Sequence, residues 1–83
     1  MKTNISREFI ISFGNNLRKI RESKKMSMQT LADITNIEYS QISRIERGLI
    51  NTSVGIIYEI SKALEIDIKE LFNFKIDKDI RKF

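Results

Sequence analysis

Hydrophobic positions recur along this chain at helical spacing. Phe9, Phe13, Leu17 and Ile20 follow one another at intervals of four, four and three, which is one face of a helix. Gly14 inside that pattern costs about 1 kcal/mol relative to alanine. It marks either a kink or the start of the core helix, with residues 1–12 as an N-terminal arm or helix-one extension. Arg18, Lys19, Arg21, Glu22, Lys24 and Lys25 crowd the C-terminal end, where the helix dipole favours cations. Ser27 is a good N-cap for a second, short helix through Leu31 and Ala32 to Thr35. Asn36 tolerates the left-handed conformation that ends it, and Ile37 follows as a buried anchor. A third helix fits Tyr39 to Arg47, with Ile42 and Ile45 inward and Gly48 as its stop. Residues 49–52 form a connector. A fourth helix fits Ser53 to Leu64, with Val54, Ile57, Ile60 and Leu64 at helical spacing. Asp67-Ile68-Lys69-Glu70 reads as a capping box opening a fifth helix through Leu71 and Phe72. In the tail, Phe72, Ile76, Ile80 and Phe83 form an apolar stripe if that helix continues; the alternative is a frayed end.

Composition narrows the class. Isoleucine is abundant and alone would favour strands, but the spacing overrides it. The 83 residues, 41% hydrophobic and 31% charged, make one folded domain with little room for a deep cleft. No apolar run is longer than Phe9-Ile10-Ile11, so no membrane span is expected, and no signal peptide is visible. The expected location is the cytoplasm. There is no cysteine and no histidine, which removes disulfides, thiolates, the imidazole base and nearly every zinc or haem site. No metal, cofactor, small-molecule ligand or enzymatic activity is expected. The net charge of +4 raises nucleic acid as the partner.

The segment Met28 to Gly48 carries the chemistry. A short helix, a tight turn at Asn36 and a second helix make a helix-turn-helix unit. Ala32 is small enough for the helices to cross closely. The second helix then turns Glu38, Tyr39, Ser40, Gln41, Ser43 and Arg44 outward, with no large aliphatic among them. These residues sit in a wider pattern. The chain reads Leu17-Arg18-Lys19-Ile20-Arg21, then Ser27-Met28-Gln29-Thr30-Leu31-Ala32, then Asn36 through Ile42-Ser43-Arg44-Ile45-Glu46-Arg47-Gly48. Val54 to Leu64 and Ile66-Asp67-Ile68-Lys69-Glu70-Leu71-Phe72 follow. This pattern resembles the Cro/repressor-type, XRE-like helix-turn-helix regulators over about residues 13–73, leaving 74–83 as a C-terminal tail. Met28 stands where that family commonly has glutamine, Asn36 where it has glycine, and Thr52 where many members have proline.

The resemblance implies an all-α, five-helix, lambda-repressor-like domain that binds double-stranded DNA and regulates transcription. It places Tyr39 to Arg47 in the major groove, pairs Arg21 with Glu46 as a structural ion pair, and makes the last helices a homodimer contact. Side-chain chemistry then assigns roles. Arg44 matches the O6 and N7 of guanine, and Tyr39, Ser40 and Ser43 join it as base-contacting candidates. Glu38 either accepts from cytosine or caps the helix. Phosphate contacts fall to Ser27, Gln29 and Gln41, and to Asn51, Thr52 and Ser53 at the head of the fourth helix. Dimerisation falls to Ile66, Ile68, Phe72 and Ile76. Two recipients are open to the tail stripe: Ile5, Phe9 and Ile10 of the same chain, or a second subunit, which is favoured. The rival reading is a protein-interaction module on the same fold, such as an antitoxin or a repressor partner.

Overall fold

The computed structural model describes residues 5–76, with side chains from Ser6 onward. Four α-helices, Ile5–Ser23 (α1), Met28–Thr35 (α2), Tyr39–Glu46 (α3) and Val54–Leu64 (α4), precede a short 3-10 helix, Ile68–Phe72. The starts of α2 and α4 are set by serine. Ser27 Oγ accepts the Thr30 N–H at 3.0 Å and Ser53 Oγ accepts the Ile56 N–H at 3.1 Å, each satisfying one otherwise unpaired donor. The stops are left-handed residues: Asn36 at φ 63°, Glu65 at φ 58° and Gly48 at φ 71°.

The core is one cluster of Phe13, Leu17, Leu31, Ala32, Ile42, Ile45, Ile57, Ile60, Leu64 and Leu71. α1 packs on α3 and the 3-10 helix, and α2 packs on α3 and α4. Residues 5–12 are a continuation of helix one, so α1 passes Gly14 without a break. Gly14 is required by proximity. A Cβ there would lie 2.6 Å from the Glu46 carbonyl oxygen and closer still to that of Ile45. Both are backbone atoms and cannot rotate away. Gly14→Ala is therefore expected to destabilise the domain by about 1–3 kcal/mol through overpacking, despite the gain of about 1 kcal/mol in helix propensity. A urea titration showing the variant equal to or above the parent would refute the close approach.

Several expectations are corrected. The fifth helix is 3-10, and Asp67 caps it through the Lys69 N–H at 2.9 Å. Among the described residues no side-chain bond from Glu70 closes the box. Asn16 Nδ2 secures this element by donating to the Glu70 and Leu71 carbonyls, each at 3.0 Å. Val54 is 76% exposed, because it is the first residue of α4 and precedes the turn that meets the core. The helix stops at Phe72, so Phe72 and Ile76 do not share a helical stripe. Residues 73–76 are non-helical, with Phe74 and Ile76 half-buried and Asn73 and Lys75 exposed. That alternation is the side-chain period of an extended segment. Phe72 is received within the chain: its ring lies 6.4 Å from Phe9, stacked, and 5.1 Å from Phe13, while Phe74 lies 5.2 Å from Phe9. Ile80, Phe83 and the Ile5 side chain lie outside the described residues.

Candidate nucleic-acid interface

α3 is fixed from beneath. Ile42 and Ile45 are fully buried against the core, and Ala32, also buried, lets α2 and α3 approach closely. The turn between them is tied by Thr35, whose Oγ1 donates to the Leu31 carbonyl at 2.8 Å and accepts the Ile37 N–H at 3.2 Å. The Asn36 N–H closes on the Ala32 carbonyl at 2.8 Å. Ile37 packs against the core only half-buried. Glu38 occupies the N-cap position of α3 but makes no side-chain cap, so that expected role is not realised. Its carboxylate lies at the surface, where water solvates it.

Arg21 and Glu46 lock α3 to α1. Arg21 Nε donates to Glu46 Oε2 at 2.6 Å and Nη2 donates to Oε1 at 2.9 Å, a two-point contact between planar groups. Nη1 donates to the Met26 carbonyl at 2.7 Å, holding the loop after α1 as well. Both side chains are buried. The hydrogen bonds to Glu46 raise the Arg21 pKa above the ordinary arginine value, against the opposing effect of burial, and the guanidinium stays charged. Arg21 is thus withdrawn from the basic stretch that sequence places at the end of α1. Arg18, Lys19, Lys24 and Lys25 remain exposed.

With that inner face committed, α3 presents Tyr39, Ser40 and Arg44 as exposed side chains and Gln41 and Ser43 as half-buried ones. Arg47, which follows the helix as its C-cap, is also exposed. It was not singled out from the sequence, although Ser40, Ser43, Arg44 and Arg47 stand at the i, i+3, i+4, i+7 spacing of one face. The phosphate candidates lie at two helix N-termini. At α2, Ser27 is engaged as the cap and also donates to Thr30 Oγ1 at 3.0 Å, while Gln29 Nε2 donates to Asp33 Oδ1 at 2.9 Å. At α4, Asn51 and Ser53 are exposed. Thr52 is not displayed in the same way. Its Oγ1 is buried without a hydrogen-bond partner, at a small cavity of about 70 Å³ that Phe9, Phe13, Ile57 and Phe72 also line. With its oxygen covered, the Thr52 hydroxyl is not presented to a phosphate as Asn51 and Ser53 are. Of the dimerisation candidates, Ile66, Ile68 and Ile76 are half-buried and Phe72 is 42% exposed.

The chain matches the helix-turn-helix family pattern over residues 17–71. It is 44% identical over 63 residues to the control protein C.BamHI of Bacillus amyloliquefaciens, covering 75% of this chain and 78% of that protein. It is 36% identical over 64 residues to the control protein C.MunI of Mycoplasma sp., covering 76% and 86%. Among solved structures, it superimposes on the restriction-modification controller protein C.AhdI from Aeromonas hydrophila with a TM-score of 0.74 at 36% identity, covering 76% of this chain and 96% of that one. Its buried Arg21–Glu46 clasp, left-handed Asn36 and polar α3 surface are accounted for together: the chain belongs to the XRE-like, Cro/repressor-type helix-turn-helix family of DNA-binding transcriptional regulators.

Proposed function

We propose that this chain is a controller-type transcription regulator acting on a restriction-modification system, and that it binds a two-fold symmetric operator as a homodimer. α3 enters the major groove with Tyr39, Ser40, Ser43 and Arg44 toward base edges. Gln29 and Gln41, together with Asn51, Ser53 and the backbone N–H groups at the heads of α2 and α4, hold the flanking phosphates. The observation that carries the reading is the division of α3. Its aliphatic and ion-paired residues are buried, and every side chain left outside is polar or phenolic with hydrogen-bonding capacity. The controller role rests on the likeness to the named control proteins. One such domain buries too little surface for tight specific binding, which favours a dimer, with Ile66, Ile68, Phe72 and Ile76 nearest the contact. The protein is read as a binder and not a catalyst, since it holds no histidine or cysteine to act as base or nucleophile. No helix among the described residues is long and apolar enough to cross a membrane, and the reading places the protein in the cytoplasm with its DNA.

Selection of bound sites from random duplex DNA with the purified protein tests this reading. Enrichment of a repeated, inverted half-site supports it, and a pool that stays random rejects it. On the selected site, Arg44→Ala is expected to weaken binding by about 1–3 kcal/mol and to relax one base position. An equal loss on unrelated DNA would make Arg44 a phosphate contact instead.

A further inference from the structure

We propose that Arg47 is a positioning residue for base recognition: it holds the Ser43 hydroxyl as a hydrogen-bond donor, so that α3 selects an acceptor-bearing base edge at that point. The inference rests on the reading of Ser43 as a base contact. Arg47 lies one turn beyond Ser43 on the outer side of α3, at its C-terminal end, where the helix dipole favours a cation. Its Nε donates to the Ser43 Oγ at 3.1 Å and to the Ser43 carbonyl oxygen at 3.3 Å. A serine hydroxyl offers one proton and two lone pairs. Arg47 occupies a lone pair, and the guanidinium charge disfavours the approach of any second donor to the same oxygen. Among the described residues the Ser43 proton has no acceptor. One lone pair remains but lies beside the guanidinium charge, so the group favoured for a partner is O–H.

The consequence is a sign for the specificity. In the major groove, guanine N7 and O6, adenine N7 and thymine O4 accept, whereas the cytosine N4 amino group donates. Serine without a neighbour reads either kind. Serine held by Arg47 reads acceptors and rejects cytosine at the base it faces. The Nη groups of Arg47 make no bond within the described chain and remain available to a phosphate, so the residue has a positioning part and a charge part that substitution can separate.

The experiment uses the full chain and the site selected from random DNA, with every single-base variant of that site competed in a fluorescence anisotropy assay. Ser43→Ala identifies the base position that Ser43 reads. Arg47→Ala is expected to relax discrimination against cytosine at that same position by about 2- to 10-fold, the range for one net hydrogen bond. It should also lower affinity uniformly through removal of the charge. Arg47→Lys is expected to keep most of the uniform affinity while losing the discrimination, because a flexible ammonium does not reproduce the fixed Nε–H. The Ser43→Ala/Arg47→Ala pair should relax that position no further than Ser43→Ala alone. Arg47 is exposed, and its variants should stay folded at the assay temperature, with Arg47→Ala melting only slightly below the parent through loss of the C-terminal cation. If Arg47→Ala and Arg47→Lys leave the Ser43 position as selective as before, the positioning role is overturned while the Ser43 contact stands. If Ser43→Ala alters no base position, the underlying reading of Ser43 fails, and the inference with it.

Discussion

Glu46→Ala is expected to lower the unfolding free energy by about 3–5 kcal/mol, the usual cost of removing one partner from a buried ion pair. An exposed pair would be worth about 1 kcal/mol or less. Burial decides between the two scales, with Arg21 at 7% and Glu46 at 4% relative exposure. Without the carboxylate, the guanidinium keeps the Met26 carbonyl and a distant carboxylate, Glu22, at 4.0 Å, which is itself largely in water. Neither neutralises a charge that is almost wholly withdrawn from water. A domain of this size has roughly 5–15 kcal/mol in total, and each kcal/mol moves its midpoint by about 4–8 °C. The variant should melt far below the parent by circular dichroism. Below its own midpoint it should still select the same site, because Glu46 faces inward. The double variant Arg21→Met/Glu46→Leu should recover a large part of the loss, since it removes both charges and fills the space. A single variant that melts with the parent would mean that the pair carries no net stability.

What was legible in the sequence followed from local rules with one strong solution. Serine before an apolar-periodic run favours a cap, and Ser27, read as one, caps α2; Ser53, read as the first residue of the fourth helix, caps it by the same rule. Asn36 and Gly48 mark left-handed stops because few other residues adopt that backbone cheaply. The Arg21–Glu46 clasp came from resemblance, since residues 25 apart share no local signal. The misreadings share a cause, which is tertiary packing acting against or beyond a periodic pattern. Phe72, Ile76, Ile80 and Phe83 fit a helix, but Phe72, Phe74 and Ile76 fit an extended segment equally well. Stacking on Phe9 decides between them, and Phe9 is over sixty positions away. Thr52 reads as a surface hydroxyl from its type and its place at the head of the fourth helix; the fold covers its oxygen. Glu65 as a left-handed cap had no clear signal, because a glutamate there is set by the close of α4 and not by its own preference. Arg47 did carry a signal, the helical spacing from Ser40 and Ser43, but figures in the sequence reading only as the last residue of the third helix.

Binding to the selected operator is expected to fall by roughly three to five decades between 50 and 200 mM salt, provided that a dimer makes about 6–10 phosphate contacts. The slope separates two ways of holding a backbone. Serine, glutamine and asparagine side chains and helix N–H groups orient phosphates but bring no charge, and so displace few condensed cations. Lysine and arginine displace about one each. The fold leaves Arg18, Lys19, Lys24, Lys25, Arg44 and Arg47 exposed on α1, the following loop and α3, while Arg21 is neutralised by Glu46. The chain as a whole carries +4. A slope of log affinity against log salt near −5 to −9 would place several of these cations on phosphate in each protomer. Substituting Lys24 or Lys25 by alanine should then flatten the slope by about one unit for each phosphate left without its cation, with base preference unchanged. Arg44→Ala should instead change preference more than slope. A nearly flat dependence would leave only the neutral donors holding the strands, and would refute the cationic flank of the interface while sparing the groove-reading surface of α3.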